Sequence, residues 1–468
     1  MKPFTPVDKQ TITLLTTIVG EKYVLFDETA FEKYGRDETE DLVFYPEVVV
    51  LPKTANEIAA ILKHCNQNNI PLTPRGAGTG LSGGALPVNK GILLSMERFN
   101  KILEIDERNL QATVEPGVIT QVFQEAVKEK GLFYPPDPAS KGSCFIGGNL
   151  AENSGGPKAV KYGVTADYVL NLEVVLPTGE IIWTGANTLK NATGYNLTQL
   201  LVGSEGTLGI ITKAVFRLLP HPKNDLLMLV PFYSSEEACE AVSAIFRAGI
   251  TPSGMEFMER DALIWGAAYI GETSINIPDN IQAHLLIEVD GNDKEMLYKE
   301  CQTLYEVLEN FECDDILFAE DATQKDTLWK IRRVVGEAVK AQSIYKEEDT
   351  VVPRAELPIL LKGVKAIGKK YGFQSVCYGH AGDGNLHINI IKGNLNDKQW
   401  KDELPKAIRA IFELCVNLKG TISGEHGIGY VQKNYMDVPF NAVELTLQKN
   451  IKKLFDPLGI LNPNKIFI

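Results

Sequence analysis

No Cys-x-x-Cys pair occurs among the seven cysteines, Cys65, Cys144, Cys239, Cys301, Cys313, Cys377 and Cys415, so neither an iron–sulfur relay nor a closed zinc finger is written in this chain. Scattered thiols of this kind fit a reducing compartment. No stretch approaches the roughly 18 uncharged apolar residues that a membrane-spanning helix needs. The leader MKPFTPVDKQTITLL carries Pro3, Pro6 and Asp8 where a secretory signal would be apolar, and it lacks a small-residue cleavage site. A cytoplasmic protein is expected. An excess of positive charge is also missing: 47 Lys and Arg against 60 Asp and Glu leave a net charge of -13, which argues against nucleic acid as a partner. Any acidic substrate would need a local basic pocket. Histidine is scarce, with six in 468 residues, and no repeat or low-complexity tract occurs.

Hydrophobic residues at 44% and charged residues at 23% indicate a globular chain, and at about 150 residues per domain the length gives roughly two to four domains. Residues 1 to 40 read as a polar helical lead. EVVVLPKTANEIAAILKHCNQNNIPLTPRG then reads as strand, helix and strand, with Thr54 and Glu57 at the spacing of a capping box. Strands follow in GILLSM, ILEID, QATVEPG, YVLNLEVVLPTGE and TLGIITKAVFRLLP, with a helix near 119 to 130; the texture is α+β. Pro220 and Pro222 flank His221 in a candidate linker reaching to Asp225. Beyond it, strands such as LLMLVPFY and HLLIEVDG alternate with amphipathic helices at 235 to 248, 293 to 310 and 321 to 341. The expected divisions are 1–221, 222–440 and a tail, 441–468, that packs back on the first domain.

Three glycine clusters fall in the first of these divisions. PRGAGTGLSGGALP spans Pro74 to Pro87, IGGNLAENSGGPKAVKYG spans Ile146 to Gly163, and GSEGTLGIIT spans Gly203 to Thr212. Glycines at such density let successive backbone N–H groups converge on an anion. The first loop is neither a Rossmann fingerprint nor a P-loop, because no helix can open on Leu-Ser-Gly-Gly-Ala-Leu-Pro and no G-K-[ST] is present. Alone it could be a flexible surface loop; three clusters together imply backbone lining a long, flat, polar ligand such as a dinucleotide.

These segments, with P-P-D-P-A-S between the first and second, resemble the PCMH-type FAD-binding domain of the vanillyl-alcohol-oxidase flavoprotein superfamily. The resemblance implies that the FAD pyrophosphate is held by Arg75, Gly76, Ala77, Gly78 and Thr79 with Gly80, Ser82 and Gly83. It places Ser140, Gly142, Gly148, Asn149, Asn153, Gly163, Gly206 and Ile211 around the rest of the cofactor. Covalent members carry a histidine directly after R-G-x-G; Thr79 stands there, so non-covalent FAD is expected.

Three of the six histidines lie in two compact motifs, GHAGDGNLHINI (Gly379 to Ile390) and SGEHGIG (Ser423 to Gly429). The first reads as a strand end, a tight turn and a second strand, a hairpin that brings His380 and His387 to one side and puts His387 and Asn389 on one face. Two imidazoles with Glu425 make an N,N,O set suited to Zn²⁺ or Mn²⁺ with an open position. Taken singly, each histidine also fits a hydrogen-bonded core residue, and Glu425 with His426 fits a surface pair.

The two motifs resemble those of the FAD-linked D-2-hydroxy-acid dehydrogenases, a group that includes D-lactate dehydrogenase, the glycolate oxidase catalytic subunit and D-2-hydroxyglutarate dehydrogenase. The resemblance covers nearly the whole chain and implies a second domain of the FAD-linked oxidase C-terminal type. It implies His380, His387 and Glu425 as divalent-metal ligands, Asn389 as a substrate contact, and His426 as the base and a further substrate contact. In DTLWKIRRVVGEAV, helical spacing sets Trp329, Arg332 and Gly336 on one face, with Arg333 outward and in reach of Glu337. The family motif W-x-x-R matches at Arg332, implying the substrate C1 carboxylate there. Lys346 matches the segment that serves a second carboxylate in the hydroxyglutarate branch, while Gly336 stands where that branch has a threonine. A flavin-dependent transferase similar to alkylglycerone-phosphate synthase and a non-catalytic flavin subunit of a larger complex are the alternative readings. The electron acceptor (quinone, electron-transfer flavoprotein or partner subunit), the metal and the oligomeric state, a homodimer included, stay open.

Overall fold

The computed structural model describes residues 3–272, 277–319 and 321–468; Met1 and Lys2 of the expected helical lead lie outside these. Two compact units form, one from Met1–Gly155, Val164–His221 and Glu425–Ile468, the other from Gly156–Gly163 and Pro222–Gly424. Among the described residues no helix is long and apolar enough to cross a membrane.

Among the described residues the first unit holds three sheets, the smallest of them the pair Leu132–Phe133 and Leu219–Pro220. A four-stranded sheet runs Val24–Leu25, Val48–Val50, Ile92–Ser95, Leu72–Arg75 in spatial order, parallel except at its first pair. The helix Ala55–Asn68 packs on it through Ile58, Ile61, Leu62 and Cys65, all fully buried with Val48, Leu72 and Ile92. Its N-cap is Thr54, whose side chain accepts from the Glu57 N–H at 3.2 Å. The lead splits into two helices, Lys9–Val19 and Glu28–Tyr34, each capped by an aspartate, Asp8 and Asp27. A five-stranded antiparallel sheet follows in the order Ile102–Asp106, Gln111–Val114, Ile210–Arg217, Val169–Val175, Ile181–Trp183.

The tail closes this unit. After the helix Ala442–Phe455, Ile460 and Leu461 enter the core fully buried, the Leu72 N–H donates to the Ile460 carbonyl, and Leu72 bridges Leu461. The C-terminal part of the unit begins at Glu425 rather than at 441, because the backbone after it is tied to the first unit: Tyr430 N–H donates to the Ser82 carbonyl, and Ile428 and Gly429 N–H groups donate to Glu205.

The linker shrinks to a few residues, since Leu219–Pro220 already pairs with Leu132–Phe133 and a nine-residue strand starts at Asn224. Among the described residues seven strands build the second unit: β1 Asn224–Phe232, β2 Gly254–Glu259, β3 Ala283–Gly291, β4 Leu317–Phe318, β5 Tyr345–Val351, β6 Gln374–Gly379 and β7 Asn385–Ile391. Their spatial order is β4-β1-β3-β2-β6-β7-β5, and every pairing is antiparallel. The segment Gly156–Gly163 joins this unit through ions: Lys158 pairs with Glu288, and Lys161 Nζ lies 2.7 Å from Asp290.

Directly opposed residues of antiparallel strands project to one face. Pairing of Met258 with Tyr378, Tyr378 with His387 and Glu347 with Asn389 therefore places Glu256, Tyr378, His387, Asn389 and Glu347 on a single face. Helices Arg260–Ile270, Ala322–Arg333 and Val335–Gln342 cover that face, with Leu263, Leu328, Trp329, Ile331 and Val335 buried against Met258, Leu286 and Val376. The single helix expected over 321–341 is two, because Val334 leaves helical geometry at φ -95°, ψ 3°.

Candidate active site

One cavity of the first unit gathers all three glycine clusters. Its lining includes Arg75, Gly76, Ala77, Gly78, Thr79 and Gly80 from the first, Gly148 and Asn149 from the second, and Gly206 and Ile211 from the third, with Ser140 beside them. The first loop leaves the strand Leu72–Arg75 and doubles back over its own arginine. Gly78 sits at φ +79°, and a Cβ built on it would lie 2.0 Å from Arg75 Nη2, so only glycine lets the loop cover the guanidinium. Arg75 Nη1 is buried without a hydrogen-bond partner, a donor available to an anion at the loop. His426 and Glu425 line the same cavity.

Five of the residues implied for the cofactor are not in that lining. Ser82 and Gly83 lie beneath it: the Gly83 N–H donates to Thr39 Oγ1 at 2.7 Å and its carbonyl accepts from Lys465. Asn153 ends the helix Ile146–Glu152 in the left-handed region and accepts from the Ala166 N–H. Gly142 is exposed in the turn after Ser140, and Gly163 caps the short helix Ala159–Tyr162 of the other unit.

Buried charge surrounds the cavity floor. Glu205 accepts the Ile428 and Gly429 N–H groups at 2.8 and 2.6 Å. Glu152 lies alongside in the cavity wall, with Oε2 buried and no hydrogen-bond partner. Burial, then the neighbouring Glu205 and Asp37, raise the Glu152 carboxyl well above the ordinary range; burial also raises Glu205, but its two N–H donors offset part of that. Lys465, its pKa pushed down to about 7 by burial, donates to the Gly83 and Leu86 carbonyls and anchors the tail under the glycine loop.

The second unit builds its site on the β6–β7 hairpin. Gly384, at φ +84°, turns it; a Cβ there would meet the Val352 carbonyl at 1.9 Å. His380 and His387 come out of the hairpin buried, with ring centroids 5.5 Å apart and planes at 80°. Each has a carboxylate at Nδ1: Glu256 reaches His380 at 2.8 and 2.9 Å, and Glu347 lies 3.1 Å from His387. Both rings offer a nitrogen as ligand atom, and the pair fits two positions of a Zn²⁺ or Mn²⁺ site.

Arg332 ends the helix Ala322–Arg333 and points at the same sheet face, 5% exposed. Its Nη2 lies 2.6 Å from Glu256 Oε2, its guanidinium carbon 4.9 Å from the Tyr378 ring centre, and its Nε is buried without a hydrogen-bond partner. Asn389 is fully buried, its amide paired by neither atom. Burial alone would raise the Glu256 carboxyl, but the Arg332 cation, and after it the His380 ring, hold it below its ordinary value. Gly336 faces Tyr378, whose hydroxyl would lie 3.2 Å from a Cβ at that position.

Lys346 is not brought to this group. It pairs with Ile390, and Ile390 with Ser375, so its side chain leaves the opposite face of the sheet, where Lys365 binds Glu259 and Ser375. Its neighbour Glu347 takes the site face instead. Four participants escaped the reading of the sequence: Glu256, Glu347, Tyr378, and Asp349, which accepts from the Gly424 N–H at 2.7 Å and from Asn385 at 2.6 Å. The available signal was a charged residue in an inward position of an apolar strand, as in GMEFME.

Comparison with known proteins agrees with this architecture. Residues 46–185 match the family described as FAD binding domain, and residues 221–466 match FAD linked oxidases, C-terminal domain. The chain is 40% identical to glycolate oxidase subunit GlcD of Bacillus subtilis (strain 168), over 93% of this chain and 92% of that protein. It is 35% identical to D-lactate dehydrogenase of Anaerostipes hadrus, over 96% and 95%. Among solved structures, p-cresol methylhydroxylase superposes with a TM-score of 0.82 at 18% identity, covering 98% of this chain and 96% of that one, a likeness of fold. The chain belongs to the FAD-linked D-2-hydroxy-acid dehydrogenase family.

Proposed function

We propose that this protein oxidises a D-2-hydroxy monocarboxylic acid of the lactate or glycolate type to the 2-oxo acid, with non-covalent FAD and a divalent metal, Zn²⁺ or Mn²⁺. The observation that carries the reading is Arg332, a buried guanidinium with an unpaired Nε beside two buried imidazoles on one sheet face. A guanidinium fork is the group that fixes a carboxylate in both register and charge. Arg332 takes the C1 carboxylate, and Asn389 contacts the substrate from the neighbouring strand. His380, His387 and Glu425 would hold the metal, which as a Lewis acid would lower the pKa of the substrate 2-hydroxyl. His426, in the wall of the flavin cavity, accepts the hydroxyl proton. Bound flavin would supply the acceptor for the hydride from C2.

A monocarboxylate is favoured because the site face presents Glu347 where a dicarboxylate would need a cation, while Lys346 leaves the other face. The relatives named above are an oxidase subunit and a dehydrogenase, which favours oxidation over flavin-dependent transfer. The word subunit in one name makes a partner subunit the favoured route for reoxidising the flavin, ahead of quinone or electron-transfer flavoprotein.

Anaerobic bleaching of the flavin tests this. D-lactate or glycolate is expected to bleach it, D-2-hydroxyglutarate and L-lactate to do so at least about tenfold more slowly, and chelation to stop bleaching while the yellow colour remains. Bleaching that is undiminished after the metal is removed would refute the metal, and equal rates with the dicarboxylate would refute the substrate class.

A further inference from the structure

Glu256 touches two groups with one carboxylate. It is fully buried on β2, central in the seven-stranded sheet, and directly precedes Phe257, which pairs with Gly379 at the end of β6. Its Oε1 and Oε2 lie 2.8 and 2.9 Å from Nδ1 of His380, and Oε2 lies 2.6 Å from Nη2 of Arg332. From the other side the Tyr378 ring confines the guanidinium at 4.9 Å. A buried carboxylate, guanidinium and imidazole are together no more stable than an apolar trio of similar volume, so stability does not account for them. Placement does. A carboxylate on Nδ1 fixes the proton there and turns the Nε2 lone pair outward, and the same oxygen fixes where the arginine fork opens.

We propose that Glu256 is a positioning residue that sets His380 as an Nε2 metal ligand and holds Arg332 open to the substrate carboxylate, locking the two anchors at one separation. This rests on the proposed metal-assisted oxidation. A substrate chelated at the metal and clamped at Arg332 must span a fixed distance, and one side chain defines that distance from both ends.

The test is E256Q in the full-length, FAD-loaded protein. Metal affinity, read without turnover by competition with a chromophoric chelator, is expected to weaken about 10- to 100-fold. KM for the hydroxy acid is expected to rise about tenfold or more while kcat falls less and flavin content is parental. E256D, which keeps the charge on a shorter arm, is expected to recover part of both losses. A glutamine variant with parental metal affinity and KM would overturn the inference. If E256Q does not fold, E256D decides: intermediate metal affinity and KM support the inference, and parental values overturn it. A parent enzyme that binds no divalent ion would overturn the metal reading and this inference together, whereas metal retained undiminished in E256Q overturns this inference alone.

Discussion

His426 lines the glycine-loop cavity immediately before Gly427, where a Cβ would run into Glu152 at 2.0 Å, so the backbone that presents the imidazole is packed directly on a buried acid. An imidazole on a rigid, glycine-bracketed turn suits proton abstraction, because its ordinary pKa lies near neutrality and its position does not drift. Replacing His426 by Ala is expected to slow anaerobic flavin reduction by about 10² to 10⁴-fold with FAD still bound. Stopped-flow absorbance reads this, and a parental rate would remove His426 as the base. The same scale explains Arg332. Lys in its place would keep the charge and lose the fork, which is why its pairing with Glu256 matters more than its sign.

At the scale of elements, the seven-stranded sheet buries several ionisable groups on the face that carries the site. His284 on β3 is one of them, 3% exposed with Nδ1 unpartnered. Burial, and next to it the Arg260 cation, lower its pKa from the ordinary 6.5 to about 4. The folded protein thus keeps this ring neutral while the unfolded chain takes up a proton, so stability is intact above pH 6.5 and is lost as pH falls from there toward 4. The full loss is about 3 kcal/mol at 1.36 kcal/mol per pKa unit. Denaturant melts of the parent and of His284→Leu at pH 7 and pH 4.5 check it: the parent is expected to lose more stability on acidification by most of that amount, and equal losses would show that the ring titrates normally.

For the whole molecule, both terminal segments fall in one unit, and Ile460 and Leu461 of the tail belong to its core. Leu461 is fully buried beside Leu72, in one core cluster with Ile92, one residue before Asn462, whose amide donates to the Gly84 and Glu205 carbonyls at 3.1 and 2.8 Å. Asn462 lines the glycine-loop cavity, so the tail supports both the fold and the first glycine loop. Leu461→Ala is expected to cost about 2 to 5 kcal/mol, read as a lower Tm, with flavin lost before global unfolding. A Tm within about 1 °C of the parent would show that the tail is dispensable.

Local order fixed a good deal. The Thr54 cap, the strand periods, the glycine clusters and the β6–β7 hairpin are short-range features, governed by neighbours a few residues apart, and they were legible for that reason. Identity of the histidine motifs followed from their residues alone. What the tertiary structure decided is everything that depends on register between strands distant in the chain. A shift of one residue sends a side chain to the other side of a sheet, and so Lys346 leaves the site while Glu347 enters it. Glu256 stands 124 residues from His380 and 76 from Arg332; no spacing rule connects them, and only the pairing of β2 with β6 under the helix Ala322–Arg333 brings the three together.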